Sequence, residues 1–134
     1  MKRILLILGI LGALAVILGA FGAHALVPKL PADSLASYKT GVLYHFIHTG
    51  AALAACILYL LTEHKLFRTS AYFFISGILF FSGSIYLLAT RPITHLEVSW
   101  LGPVTPLGGV LFIIGWICLA IAGSGMEFKR TSNL

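Results

Sequence analysis

Four long stretches of the chain carry almost no charge, and the polar positions between them fall in short groups. The first stretch runs from Ile4 to about Ala25, directly after Lys2-Arg3. The second rises from about Ser34 to Leu61 and is free of formal charge from Thr40 onward. The third covers Ala71 to Thr90, and the fourth opens at Thr105-Pro106 and continues to about Ala122. Each approaches the ~20 apolar residues that a helix needs to cross hydrocarbon. The pattern therefore predicts an all-α chain: one integral membrane domain over 1–134, an antiparallel four-helix bundle with short loops and spans at about 4–25, 36–61, 71–90 and 106–122.

Two readings fit the first run. Its end, Ala23-His24-Ala25, has the small-x-small form of a signal-peptide cleavage site, yet its ~20 residues exceed the 7–15 of a typical signal core. Gly9 with Ala13, Ala15 with Gly19 and Gly19 with Ala23 also form small-xxx-small pairs that let helices approach closely in lipid. A retained span is the expectation. Pro28 and Pro31 halt this helix, and Asp33 or Ser34 is placed to cap the next. Tyr38 and Lys39 suit headgroup depth. Glu63-His64-Lys65 with Arg68 makes a polar turn, and Arg91-Pro92 stops the third run. The connection to Val104 is expected to be irregular and to rest at the membrane surface, anchored by Trp100. In Thr105-Pro106 the hydroxyl is expected at the cap and the proline at the first helical position.

Composition agrees with this solvent assignment. The 134 residues are 59% hydrophobic and 10% charged, with a mean hydropathy of +1.01, where soluble domains carry about 25% charged residues. A soluble enzyme, a disordered tail and a nucleic-acid reader are all excluded by that shortage. The net charge of +5 comes from scattered bases, without the clustered face that phosphate tracking requires. Those bases report topology instead. Lys2, Arg3, Lys65, Arg68, Lys129 and Arg130 fall on one side, six against Lys29, Lys39 and Arg91 on the other. The positive-inside rule then predicts both termini in the cytoplasm.

Polar side chains within spans are costly in hydrocarbon unless partnered, so they are the informative positions. At ~1.5 Å per residue, His48 lies roughly 12 Å below Thr40, Ser82 roughly 12 Å and Tyr86 roughly 6 Å below Thr90, while His24 and Thr105 sit near the surface. All fall in the external half. Tyr44 and His48, four apart, share a helical face, as do His45 and His48. A polar cluster of His24, Tyr44, His48, Ser82, Ser84, Tyr86 and Thr105 is predicted between the helices, with Leu, Ile, Phe and Ala packing the cytoplasmic half around Cys56 and Cys118. Such a cluster serves either as interhelical hydrogen bonding, at ~0.6 to 2 kcal/mol per contact, or as a small polar pocket with titratable histidines.

Sharper chemistry finds little support. The histidines have no HExxH motif or carboxylate-rich partner, so no metal site and no cofactor are predicted. Ser82 and Ser84 flank Gly83 in mid-span, outside the strand-turn-helix setting of a nucleophile elbow; no catalytic residue is assigned, and close helix packing is the expected reason for that glycine and for Gly108-Gly109. Cys56 and Cys118 lack CxxC spacing and read as packing residues. His64 and His95 read as solvated loop residues.

Four segments appear in order over nearly the whole chain: Gly19-Ala20-Phe21-Gly22-Ala23-His24; Thr40-Gly41 with Tyr44 and His48; Phe81-Ser82-Gly83-Ser84-Ile85-Tyr86; and Thr105-Pro106-Leu107-Gly108-Gly109 followed by Gly115-Trp116. Together they resemble a family of small four-helix membrane proteins of unknown function that includes bacterial YgdD and YwdK and the vertebrate transmembrane protein 256. The resemblance implies a bacterial inner-membrane or mitochondrial setting and a retained first helix, and it names no activity. The motif positions it carries over are His24, Tyr44, His48, Ser82, Ser84, Tyr86, Thr105 and Pro106. His45 departs from the family's more usual Gln.

Three functional classes follow as expectations. The first is a non-enzymatic accessory or assembly subunit that packs on a membrane-protein partner or on its own copies, motivated by the small-residue faces of helix one and of Gly50-xxx-Ala54. The second is a binder or carrier of a lipid-like or quinone-like molecule at the His24, His48 and Ser84 cluster. A membrane enzyme or proton-coupled transporter is third, because the spans contain no carboxylate and no inverted repeat is evident. Membrane lipid is the expected surrounding, in a bacterial inner membrane, and nucleic acid is not an expected partner.

Overall fold

The computed structural model describes residues 1–126, and all regular structure among them is helical. Helix α1 (Lys2–Ala20) continues into a π-helical turn at Phe21–Ala25; α2 covers Ala32–Thr62; α3 (Lys65–Gly77), a second π turn at Ile78–Ser82 and α4 (Gly83–Ala89) form one interrupted rod. A single-turn helix α5 (Arg91–Thr94) and a 3₁₀ turn (Ser99–Leu101) lead into α6 (Val104–Ser124). Four helical units, Lys2–Ala25, Ala32–Thr62, Lys65–Ala89 and Ser99–Ser124, are long and apolar enough to cross a bilayer. The protein is an integral membrane four-helix bundle with antiparallel neighbours.

The helices begin earlier than apolar runs suggest, because hydropathy registers hydrocarbon while helix geometry continues into the interface. The second span starts at Ala32 and the third at Lys65. In α3 this early part is amphipathic, with Phe67, Ser70, Ala71 and Phe74 buried and Lys65 and Arg68 outside. The expected caps also differ. Pro31 occupies the N-cap of α2 without a side-chain bond, leaving Asp33 in the first turn, where its charge complements the helix dipole. Pro103 occupies the N-cap of α6, so Pro106 is third in the helix and Thr105 is free to bond elsewhere. Arg91-Pro92 opens α5 instead of simply ending the rod.

Helix α1 packs on α2, α2 on α3 and α4, and α3 on α6. The contact between α3 and α6 is set by two reciprocal sockets. A Cβ on Gly115 would lie 2.7 Å from the Phe74 ring, and one on Gly77 would meet the Phe112 ring at 2.6 Å, so each helix inserts a phenylalanine into the glycine of the other. Higher up, Gly108 lies against the backbone of Phe81, 2.7 Å from its Cα by the same construction. Ser70 crosses the same interface to donate to the Gly115 carbonyl at 2.8 Å. Gly83, by contrast, has no close neighbour beyond the Ile78 carbonyl of its own rod, so it serves no interhelical approach.

One buried apolar cluster fills the half near the N-terminus: Ile4, Leu8 and Leu11 of α1, Ala52, Ala55 and Cys56 of α2, Ala71 and Phe74 of α3, then Ile78 and Phe112. A smaller one at the distal end, away from the N-terminus, joins Leu26, Leu30, Tyr38 and Ala89. Leu6, Leu61, Leu79 and Ile113 point outward, as expected where the surrounding solvent is lipid.

Candidate functional site

The seven predicted polar residues do not form one cluster. The bundle divides them among separate contacts, and their neighbours along each helix decide which.

His48 is held most completely. Its ring is 5% exposed and stacks on Phe112 with centroids 3.5 Å apart and an interplanar angle of 12°. Nδ1 lies 2.8 Å from the Tyr44 carbonyl, and the Trp116 indole donates to Nε2 at 3.2 Å. A carbonyl only accepts and an indole N–H only donates. The two bonds therefore fix the neutral tautomer with the proton on Nδ1. Tyr44 is 38% exposed, and its ring stacks beside this centre, 5.6 Å from His48 and 4.6 Å from Phe81.

Tyr86 partners His45 and not His48. Its hydroxyl is 3.1 Å from His45 Nδ1, and its ring lies 5.1 Å from that of Tyr38, whose own hydroxyl donates to the Leu18 carbonyl of α1 at 3.1 Å. Tyr38, Gly41 and His45 follow a helical face, and Gly41 lets α4 come close: a Cβ there would sit 2.9 Å from Ile85 and 3.2 Å from Tyr86. His45 Nε2 is buried and unpartnered, as is the Ser82 hydroxyl.

Ser84 and Thr105 meet at 2.6 Å between α4 and α6. Since the Ser84 hydroxyl donates to the Phe81 carbonyl at 2.9 Å, Thr105 is the donor and Ser84 the acceptor. His24 is separate from all of these. It is exposed, two residues from buried Gly22, which puts it on the opposite side of the helix. Counting residues gave His24 an expected depth but carried no information on direction around the axis.

Sequence reasoning did not assign Ser70, Tyr38 and Trp116 to interhelical bonds. Ser70 precedes the charge-free run, and Trp116 is an aromatic in an aromatic-tolerant span, so neither departs from its local composition. Both appear only when α3 and α6 are aligned through Phe74 and Gly115.

Space for a ligand lies elsewhere, at the distal rim. One cleft of about 440 Å³ is bounded by the first turns of α2, the end of α4 and Thr105. A second, of about 460 Å³, is bounded by Ser34, Leu88, Arg91 and the segment up to Glu97. Among the described residues no three His, Cys, Asp or Glu side chains are grouped closely enough to hold a metal ion.

Residues 18–109 match the family described as protein of unknown function (DUF423). The chain belongs to this family. It is 42% identical over 122 residues to the UPF0382 membrane protein YwdK of Bacillus subtilis, covering 90% of this chain and 95% of the relative. A UPF0382 membrane protein of Haemophilus influenzae is 42% identical over 119 residues, covering 89% and 91%. The UPF0382 inner membrane protein YgdD of Escherichia coli K12 is 35% identical over 132 residues, covering 98% and 97%. No solved structure matches the chain. The matched segment contains all seven of the predicted polar positions.

Proposed function

We propose that the protein is a non-enzymatic accessory or assembly subunit that docks laterally against a helix of another membrane protein. The observation that supports this reading is an outward stripe on α2, Leu43, Ile47, Gly50, Ala54, Ile57 and Leu61, every member exposed, at alternating steps of four and three. Gly50 has open space where a Cβ would be. A glycine inside a helix costs about 1 kcal/mol relative to alanine, and within its own fold Gly50 receives no packing in return. Gly9 and Ala13 repeat the situation on α1, where Gly9 also has open space. Small residues at a membrane helix surface let a second backbone approach closely.

The polar interior supports the same reading. His48 Nε2 and the hydroxyls of Ser84, Thr105 and Ser70 make bonds between helices, and His48 Nδ1 is bonded to the Tyr44 carbonyl of its own helix, so both nitrogens of His48 are occupied within the fold. A ligand seated at His48 would have to break its stack on Phe112. The inner-membrane setting and cytoplasmic termini belong to this proposal, resting on Lys2, Arg3, Lys65 and Arg68 at one end against Lys29, Lys39 and Arg91 at the other; Lys129 and Arg130 lie outside the described residues.

The test is extraction of the tagged protein from native membranes in a mild detergent, alongside Gly50→Leu and Ala54→Leu. The parent should migrate as a larger species with a co-purifying membrane protein, and the leucine variants as free chain of unchanged helicity. A parent that runs only as monomer refutes the proposal, and cross-links only between identical chains replace the partner with a second copy.

A further inference from the structure

We propose that the two clefts at the distal rim form one site for the headgroup of a zwitterionic phospholipid bearing a primary amine. The clefts share Ser34 and Leu88 and are therefore contiguous. Each volume, about 440 and about 460 Å³, falls in the ~300–1,000 Å³ range of small-ligand sites.

Depth and lining agree with a lipid. The inner cleft is bounded by α2 residues from Asp33 to Thr40. At ~1.5 Å per residue this wall descends roughly 10 Å from the membrane surface, through the headgroup layer and into the start of hydrocarbon. Its opposite wall is Ile85, Leu88 and Ala89, an apolar surface suited to the first segment of an acyl chain. Hydroxyls of Ser34, Ser37, Thr40 and Thr105 border the same space. The outer cleft adds Arg91, His95 and Glu97. The chain reaches that position through a turn at His95 with φ 54°.

Charge selects the headgroup. Arg91 offers the planar donor pair that matches a phosphate, while Asp33 and Glu97 are acceptors for an ammonium group. The polar groups bonded internally are Thr40, to the Ala36 carbonyl, and Thr105, to Ser84. Arg91, Asp33 and Glu97 are exposed and open to a ligand. One guanidinium set against two carboxylates disfavours a headgroup that is only anionic. A primary ammonium, with three donors, uses the carboxylates and hydroxyls in a way that a methylated amine does not.

The experiment is native mass spectrometry of the full chain in mild detergent, titrated with phosphatidylethanolamine, phosphatidylcholine and phosphatidylglycerol of identical acyl chains, with free phosphoethanolamine as competitor. Phosphatidylethanolamine should bind most tightly, and Arg91→Gln should weaken it by roughly tenfold to a hundredfold, the range of a charge-assisted hydrogen bond. Asp33→Asn with Glu97→Gln should abolish the preference over phosphatidylglycerol. Arg91→Lys, which keeps the charge and loses the fork, should fall between parent and glutamine variant. Equal binding of the three lipids, displacement by free phosphoethanolamine at equal concentration, or unchanged binding in these variants would each overturn the proposal. Circular dichroism of every variant separates loss of the site from loss of the fold.

Discussion

Adjacent glycines at the start of α6 should respond oppositely to the same substitution. A Cβ on Gly108 meets the Phe81 backbone, lying 2.7 Å from its Cα, whereas one on Gly109 lies 3.9 Å from the Phe81 ring. Backbone cannot rotate away as a side chain can. To bring the Gly108 contact with the Phe81 Cα from 2.7 Å to the 3.4 Å of ordinary packing, α6 must withdraw from the rod by at least about 0.7 Å, the Phe81 amide nitrogen lying nearer still. Overpacking of this kind costs about 1–3 kcal/mol. The same withdrawal strains the Ser84–Thr105 bond, which is already close at 2.6 Å and worth about 0.6 kcal/mol or more in lipid. Gly108→Ala should therefore destabilise the bundle by about 2–4 kcal/mol. Gly109→Ala meets only van der Waals contact and gains helix propensity of up to about 1 kcal/mol, so its stability should be equal to the parent's or slightly greater. Unfolding by sodium dodecyl sulfate in mixed micelles, followed by circular dichroism and by the fluorescence of Trp100 and Trp116, measures both. A Gly108→Ala protein within about 0.5 kcal/mol of the parent, or a Gly109→Ala protein equally weakened, would refute the backbone-contact reasoning.

Two further outcomes are expected. Trp116→Phe keeps an aromatic ring beside Phe74 but removes the donor to His48 Nε2; the buried acceptor left behind should cost about 1–2 kcal/mol in the same unfolding assay, and no loss would show that the Trp116 bond adds nothing to stability. Reporter fusions at the C-terminus and in the segment between α2 and α3 should both report the cytoplasm, and an external signal from either would invert the proposed topology.

What the sequence made legible was governed by solvent. Charge-free runs locate the spans because a charge in hydrocarbon is expensive wherever it occurs, and that held for all four. Pairings between apolar side chains were not legible: Phe74 in Gly115 and Phe112 in Gly77 lower the energy through shape alone, and lipid offers no hydropathy contrast to mark them. Polar residues fell between these cases. Counting assigns each an expected depth, but direction around the helix depends on which face each neighbour takes. His45 and His48, three residues apart, thus bond to α4 and α6 respectively, and His24 faces away from both. Thr105 was expected both at the cap of its helix and among the polar groups between helices; Pro103 takes the cap, and the Thr105 hydroxyl bonds Ser84.

The π turn at Ile78–Ser82 constrains how this chain can tolerate length changes. One extra residue in a turn sets the rod beyond it about 100° out of phase with the rod before it. Deleting a single residue there would leave a segment just as apolar, just as helical and still long enough to cross the membrane. Yet α4 would be rotated relative to α3, and Ser84 and Tyr86 could not face Thr105 and His45 while Phe74 kept its place in Gly115. The bilayer sets how long this rod must be, whereas the neighbouring helices set its angular phase, and the inserted residue lets one continuous rod satisfy both.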